Sequence, residues 1–129
     1  MSGVDLATFL AARLDEREAA AKAATVSAAD WIRVMPDRIS ADATHIALND
    51  PQFVLDDIAA KRRIMGRHRR YGEIARSYAP WDDACDGCGF PGDPEWPATE
   101  HINDCPELRD LAAPFAQHPD FDPAWTVEA

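Results

Sequence analysis

The chain is short of everything that stabilises small secreted domains or membrane proteins. It has three cysteines in 129 residues, an odd count that argues against a closed disulfide framework. No apolar run approaches the ~20 residues of a membrane-spanning helix. The opening Met1-Ser-Gly-Val-Asp5 lacks the basic and apolar regions of a signal peptide, so secretion is not expected. Basic residues are also scarce: 13 Lys and Arg face 23 Asp and Glu, and the formal net charge is −10. That balance excludes a histone-like coat for nucleic acid. What is present suits a folded chain, since 47% of residues are apolar and 28% charged. The length fits one domain, and the few thiols are expected in a reducing cytoplasm.

The pattern predicts a mainly α-helical fold. A first helix is expected over 4–24, with Ser2 as its cap and Asp5 in the capping-box position; Leu6, Phe9, Leu10, Arg13 and Leu14 share one face. Residues 25–40 include Trp31-Ile-Arg-Val-Met35 and a Pro36-Asp37 turn signal, so a short strand or β-hairpin is expected there. A short helix should run from Ser40 to Leu48. Asp50 and Pro51 supply the cap and first position of a third helix running toward Ser77, with Phe53, Val54, Ile58, Ile64, Met65, Tyr71 and Ala75 as its apolar stripe; Gly66 and Gly72 weaken it and allow a kink or early stop. A last helix should open at Cys105-Pro106 and kink or tighten at Pro114, with Phe121 and Trp125 folding back onto the helices. The expected organisation is a helical region over 1–79 and a zinc-knuckle module with the last helix and tail over 80–129, packed as one domain.

All three cysteines lie within 21 residues, as Cys85-x2-Cys88-x12-His101-x3-Cys105. This is ligand spacing for a closed structural zinc site. Gly87 and Gly89 let the chain curl so that two thiolates face one point, and His101 and Cys105 would share one face of a helical turn. His118 is an alternative fourth ligand. A redox Cys85/Cys88 pair would be expected near a βαβ pattern, which is missing. A catalytic zinc would need an open position and a general base. Neither a zinc-protease nor a deaminase motif occurs, and no nucleophile elbow or phosphate loop is seen. No catalytic residue is therefore assigned.

Charge is concentrated rather than spread. Lys61, Arg62, Arg63, Arg67, Arg69, Arg70 and Arg76 give residues 61–76 a net charge of +6, between segments of −5 and −11. On one helix, Arg62, Arg69 and Arg76 would form one row and Arg63, Arg67 and Arg70 another. Such a stripe can contact phosphates or an acidic protein. It can also be solvated or paired within the chain, as Asp57 with Lys61 and Arg69 with Glu73. His68, inside this run, reads as an exposed residue.

The blocks Phe9 to Glu16, His45-Ile-Ala-Leu-Asn-Asp50-Pro51 with Val54-Leu55, and Lys61-Arg-Arg-Ile64 carry a family resemblance. So do Cys85-x-x-Cys88, Cys105-Pro-Glu-Leu-Arg-Asp-Leu-Ala112 and Phe115-Ala-Gln-His118-Pro-Asp-Phe121 with Trp125. Over most of its length the chain resembles an uncharacterised family of small actinobacterial and actinophage proteins, a domain of unknown function. The resemblance implies such an origin and a cytoplasmic role, in the bacterium or its phage-infected cell, and implies no activity. The expected function is that of a non-enzymatic, zinc-stabilised interaction or accessory protein with a protein partner. The alternative is a nucleic-acid-associated protein using the basic helix 61–76. Neither a membrane nor a small-molecule substrate is expected.

Overall fold

The computed structural model describes residues 4–24, 41–74, 80–92 and 96–128. It is mainly helical: α1 Leu6–Ala23, α2 Ala41–Leu48, α3 Pro51–Arg67, a single turn α4 Tyr71–Ile74 and α5 Pro106–Ala112, with short 3-10 turns between and after them. Among the described residues, pairing of strand type is limited to one antiparallel bridge, between Arg70 and Cys85. The hairpin expected within 25–40 lies outside the described residues. No helix among the described residues is long and apolar enough to cross a membrane.

The chain divides into two compact units, residues 1–13 with 61–129, and residues 14–60. The boundary expected at 79/80 falls inside the first unit. In that unit Leu6, Phe9 and Leu10 of α1 are buried, as are Ile102, Leu108, Ala112 and Trp125 from the chain after the cysteines. Phe9 is the hub. Its ring centroid lies 5.2 Å from Trp125, 5.8 Å from Phe121 and 6.5 Å from Phe115, so the tail does fold back as the aromatic spacing suggests. These tilted and edge-on contacts suit the ring quadrupoles and add to the burial of aromatic area. Arg13 is only 7% exposed; its guanidinium carbon sits 5.0 Å from the Phe9 ring centre and one of its nitrogens is 2.8 Å from His118 Nδ1.

The start of α1 is set by Asp5, whose carboxylate accepts the Thr8 N–H at 2.8 Å. Ser2, the expected cap, lies outside the described residues. The Leu6 amide donates to Asn103 Oδ1 at 3.0 Å, which ties the start of α1 to the loop before Cys105. In the second unit Leu14, Ala21 and Ile58 are buried, and Arg17 reaches Asp57 at 3.4 Å. Asp50 caps α3 as its sequence position suggests, accepting the Phe53 N–H at 2.9 Å.

The third helix is shorter than its periodicity predicts. α3 stops at Arg67 and the helical turn α4 resumes at Tyr71, so the segment between Gly66 and Gly72 leaves the helix. Its backbone groups bond to the cysteine segment instead. Asp86 N–H donates to Arg69 O at 2.9 Å, Tyr71 N–H to Ala84 O at 2.8 Å, and Gly72 N–H to Asp82 O at 2.9 Å. The break therefore leaves these groups paired, and it turns His68 toward the thiols. α5 begins at Pro106 with Cys105 as N-cap and tightens into a 3-10 turn over Ala113–Phe115, where Pro114 removes a donor.

Candidate metal centre

Four donor atoms converge in the first unit: His68 Nδ1 and the sulfurs of Cys85, Cys88 and Cys105. The imidazole nitrogen lies 3.3 Å from Cys85 Sγ, 3.4 Å from Cys105 Sγ and 3.8 Å from Cys88 Sγ. Cys105 Sγ lies 3.6 Å from Cys85 Sγ and 3.7 Å from Cys88 Sγ. A zinc ion with bonds of ~2.3 Å to sulfur and ~2.0–2.1 Å to nitrogen has tetrahedral edges of about 3.8 Å and about 3.5 Å. These five distances stand near that spacing, and all four donors lie within 4.8 Å of one another. Three sulfurs alone could reach it by van der Waals contact. The nitrogen near all three is what completes a tetrahedron, and the four groups could hold a metal ion.

Each donor is placed by a different local device. His68 follows the last residue of α3, its N–H still bonded to Ile64 O at 3.1 Å. Cys85 is held on both sides: its N–H donates to Thr99 O at 3.0 Å and its strand-like bridge is to Arg70. Cys88 closes the 3-10 turn Asp86–Cys88. Cys105 is the N-cap of α5, and the loop before it is held by Arg109, which donates to Asn103 O and to Asp104, at 2.8 and 2.7 Å. Gly87 must be glycine for steric reasons. A Cβ there would stand 2.4 Å from Arg67 O and 2.8 Å from His68 Nδ1.

Burial and mutual contact separate the thiols. Cys85 and Cys105 are fully buried and Cys88 is half-buried; all three are free thiols. The Cys85 S–H donates to Cys105, which together with burial pushes Cys85 far above the ordinary thiol range. The same contact stabilises a Cys105 thiolate, and despite burial its pKa falls to about 5; amide dipoles at the start of α5 and the nearby His68 act in the same direction. Burial pushes Cys88 up, opposed by a hydrogen bond from Thr99.

The cluster differs from the expected ligand set at one position. Cys85, Cys88 and Cys105 come together, and His68 joins them where His101 was expected. His101 is instead the N-cap of the 3-10 turn Ile102–Asp104, and its Nδ1 accepts the Asn103 N–H at 3.1 Å. The alternative ligand His118 packs on Phe9, with ring centroids 5.6 Å apart, and its Nδ1 accepts the Asp120 N–H. The spacing is better written His68-x16-Cys85-x2-Cys88-x16-Cys105, with equal intervals on either side of the central pair. A histidine just past the end of a helix, between two glycines, was the available sign.

The basic segment does not form the expected continuous stripe. Arg69 and Arg70 lie beyond the end of α3, and Arg76 lies outside the described residues. Arg70 is bonded to Asp5 at 2.7 Å and lies 3.2 Å from Asp83. Arg62 and Lys61 also have partners, while Arg63, Arg67 and Arg69 are exposed.

Comparison with known proteins adds a family. A family model described as a family of unknown function (DUF6221) matches residues 3–127. No curated protein and no solved structure matches the chain.

Proposed function

The chain belongs to the DUF6221 family, whose function is unknown, and we propose that it is a non-enzymatic interaction or accessory protein stabilised by one structural zinc ion. The supporting observation is the donor set of one imidazole and three thiols at tetrahedral spacing. Soft thiolates and an imidazole favour zinc over oxygen-seeking magnesium or calcium. Four protein ligands leave no position for water or substrate, which speaks for a structural role and against catalysis. Free thiols and the resemblance to actinobacterial and phage proteins favour a reducing bacterial cytoplasm.

Elemental analysis of purified protein tests the reading. One zinc per chain is expected, with a lower unfolding midpoint after a chelator removes it. A metal-free chain of unchanged stability would refute it.

A second reading has the exposed Arg63, Arg67 and Arg69 contact nucleic acid. It predicts an electrophoretic shift at low salt that falls steeply as salt is raised. No shift at micromolar protein removes this reading.

A further inference from the structure

Trp96 is 52% exposed, in a segment that otherwise uses its aromatic residues for packing. It is nonetheless held firmly. Its carbonyl accepts the Gly92 N–H at 3.2 Å, and two residues later the Ala98 N–H donates to Gly89 O at 3.0 Å. The Gly92 backbone abuts the Trp96 side chain so closely that a Cβ on Gly92 would stand 2.4 Å from Trp96 Cβ. On its other side the indole meets Trp81 edge-on, ring centroids 4.5 Å apart. Pro97 and Thr99, which follow it, are buried. A large apolar ring fixed in place while half in water loses little freedom when it is covered, and rigid tryptophans are the commonest anchors of protein interfaces.

The surroundings select the partner's charge. Residues 80–104 carry seven Asp or Glu and no Lys or Arg. Asp83 and Glu100 are exposed; among the described residues Arg70 lies 3.2 Å from Asp83 and Arg109 bonds to Asp104 at the far end of the stretch. Three thiolates and one Zn²⁺ would add a further negative charge. Phosphate is repelled by such a field, whereas a guanidinium or ammonium is attracted to the carboxylates and to an indole face.

We infer that the Trp81–Trp96 pair is a docking site for an arginine- or lysine-rich segment of a protein partner. The inference rests on the interaction reading above and names its partner chemistry. A basic side chain lies on the Trp96 ring, and neighbouring cations of the same segment face Asp83 and Glu100.

The test measures binding of a fluorescently labelled hexa-arginine peptide to the zinc-loaded full chain at low salt. A hexaglutamate peptide and a single-stranded oligonucleotide serve as controls. Trp96→Ala leaves the net charge unchanged, so a purely electrostatic attraction would survive it. The expected result is hexa-arginine binding weakened on the order of tenfold by Trp96→Ala and less by Trp96→Phe, with no binding of hexaglutamate. Zinc content and helical signal, read on the same samples, establish that each variant is folded; if Trp96→Ala is not, Trp96→Phe decides. Equal affinity for parent and folded variants overturns the inference, as does Trp96-dependent binding of the oligonucleotide in place of the peptide. Zinc-loaded protein without Trp96 dependence defeats this inference alone, and zinc-free protein defeats the earlier reading alone.

Discussion

His68 and His101 have the same side chain and opposite assignments. His68 faces three sulfurs, whereas His101 uses its Nδ1 on the backbone of its own turn. Replacing His68 by Ala should weaken zinc binding by more than the ~10–100-fold typical of losing a ligand's own hydrogen-bond partner. His101→Ala should retain one zinc per chain and lose only cap stability. Competition against a chromophoric chelator measures both. Asp5 offers a second residue-scale test. Burial alone would raise its pKa, but the bonds from Thr8 and the Arg70 guanidinium outweigh this and hold it below the ordinary carboxylate value. Its folded pKa is depressed, so its contribution is full above the unfolded value near 4 and is lost as pH falls through the folded value. Asp5→Ala should cost about 1 kcal/mol at pH 7, the usual worth of a helix cap. The difference from the parent should shrink in denaturant titrations carried out progressively below pH 4.

At the scale of elements, α1 was legible because its burial is decided by its own spacing. Leu6, Phe9, Leu10, Arg13 and Leu14, one face of a 3.6-residue period, are all buried. The cap and Pro51 at the head of α3, and Pro114 after α5, were legible for the same local reason. The end of α3 was legible only as a weak point at Gly66 and Gly72. Its apolar stripe runs on to Tyr71, but the chain leaves the helix because Arg69, Tyr71 and Gly72 find backbone partners 10–17 residues downstream. The fourth donor was hidden by the same event. Nearness in sequence favoured His101, four residues from Cys105, while the chain reversal brings in His68 from 17 residues before Cys85. Two glycines, one in α3 before that break and one in the cysteine segment packed against it, should respond oppositely. Gly66 has no atom within 4 Å of a Cβ, so Gly66→Ala in α3 should stabilise by about 0.4–1 kcal/mol. Gly87→Ala must displace Arg67 O and the His68 ring, and should destabilise by about 1–3 kcal/mol and loosen zinc. Denaturant midpoints of the two variants, with zinc affinity for the second, check the contrast.

For the whole molecule, the donors belong to segments that otherwise share few buried side chains. Among its described residues, the cysteine segment from 80 to 100 contributes Ala84, Cys85, Pro97 and Thr99 to the interior. A metal bound there would therefore carry folding free energy; apparent values for zinc-finger peptides are ~10–16 kcal/mol, as large as the whole stability of a typical domain. Chelation should expose the amides of Tyr71, Gly72, Cys85 and Asp86 to hydrogen exchange first, because their partners lie across the site. Phe53 and Val54, on the capped start of α3 in the second unit, should keep their protection longer. Uniform loss across both sets would mean that metal and fold are coupled through the entire chain.

The bond from Leu6 to Asn103 also has a consequence for biosynthesis. The amide at the start of α1 is made 97 residues before its acceptor. Leu6, Phe9 and Leu10 leave the ribosome long before Ile102, Leu108 and Trp125 exist to cover them. The nascent chain must carry this apolar face uncovered until those residues emerge. A face exposed in this way is prone to aggregation until Cys105 arrives and the four donors can close.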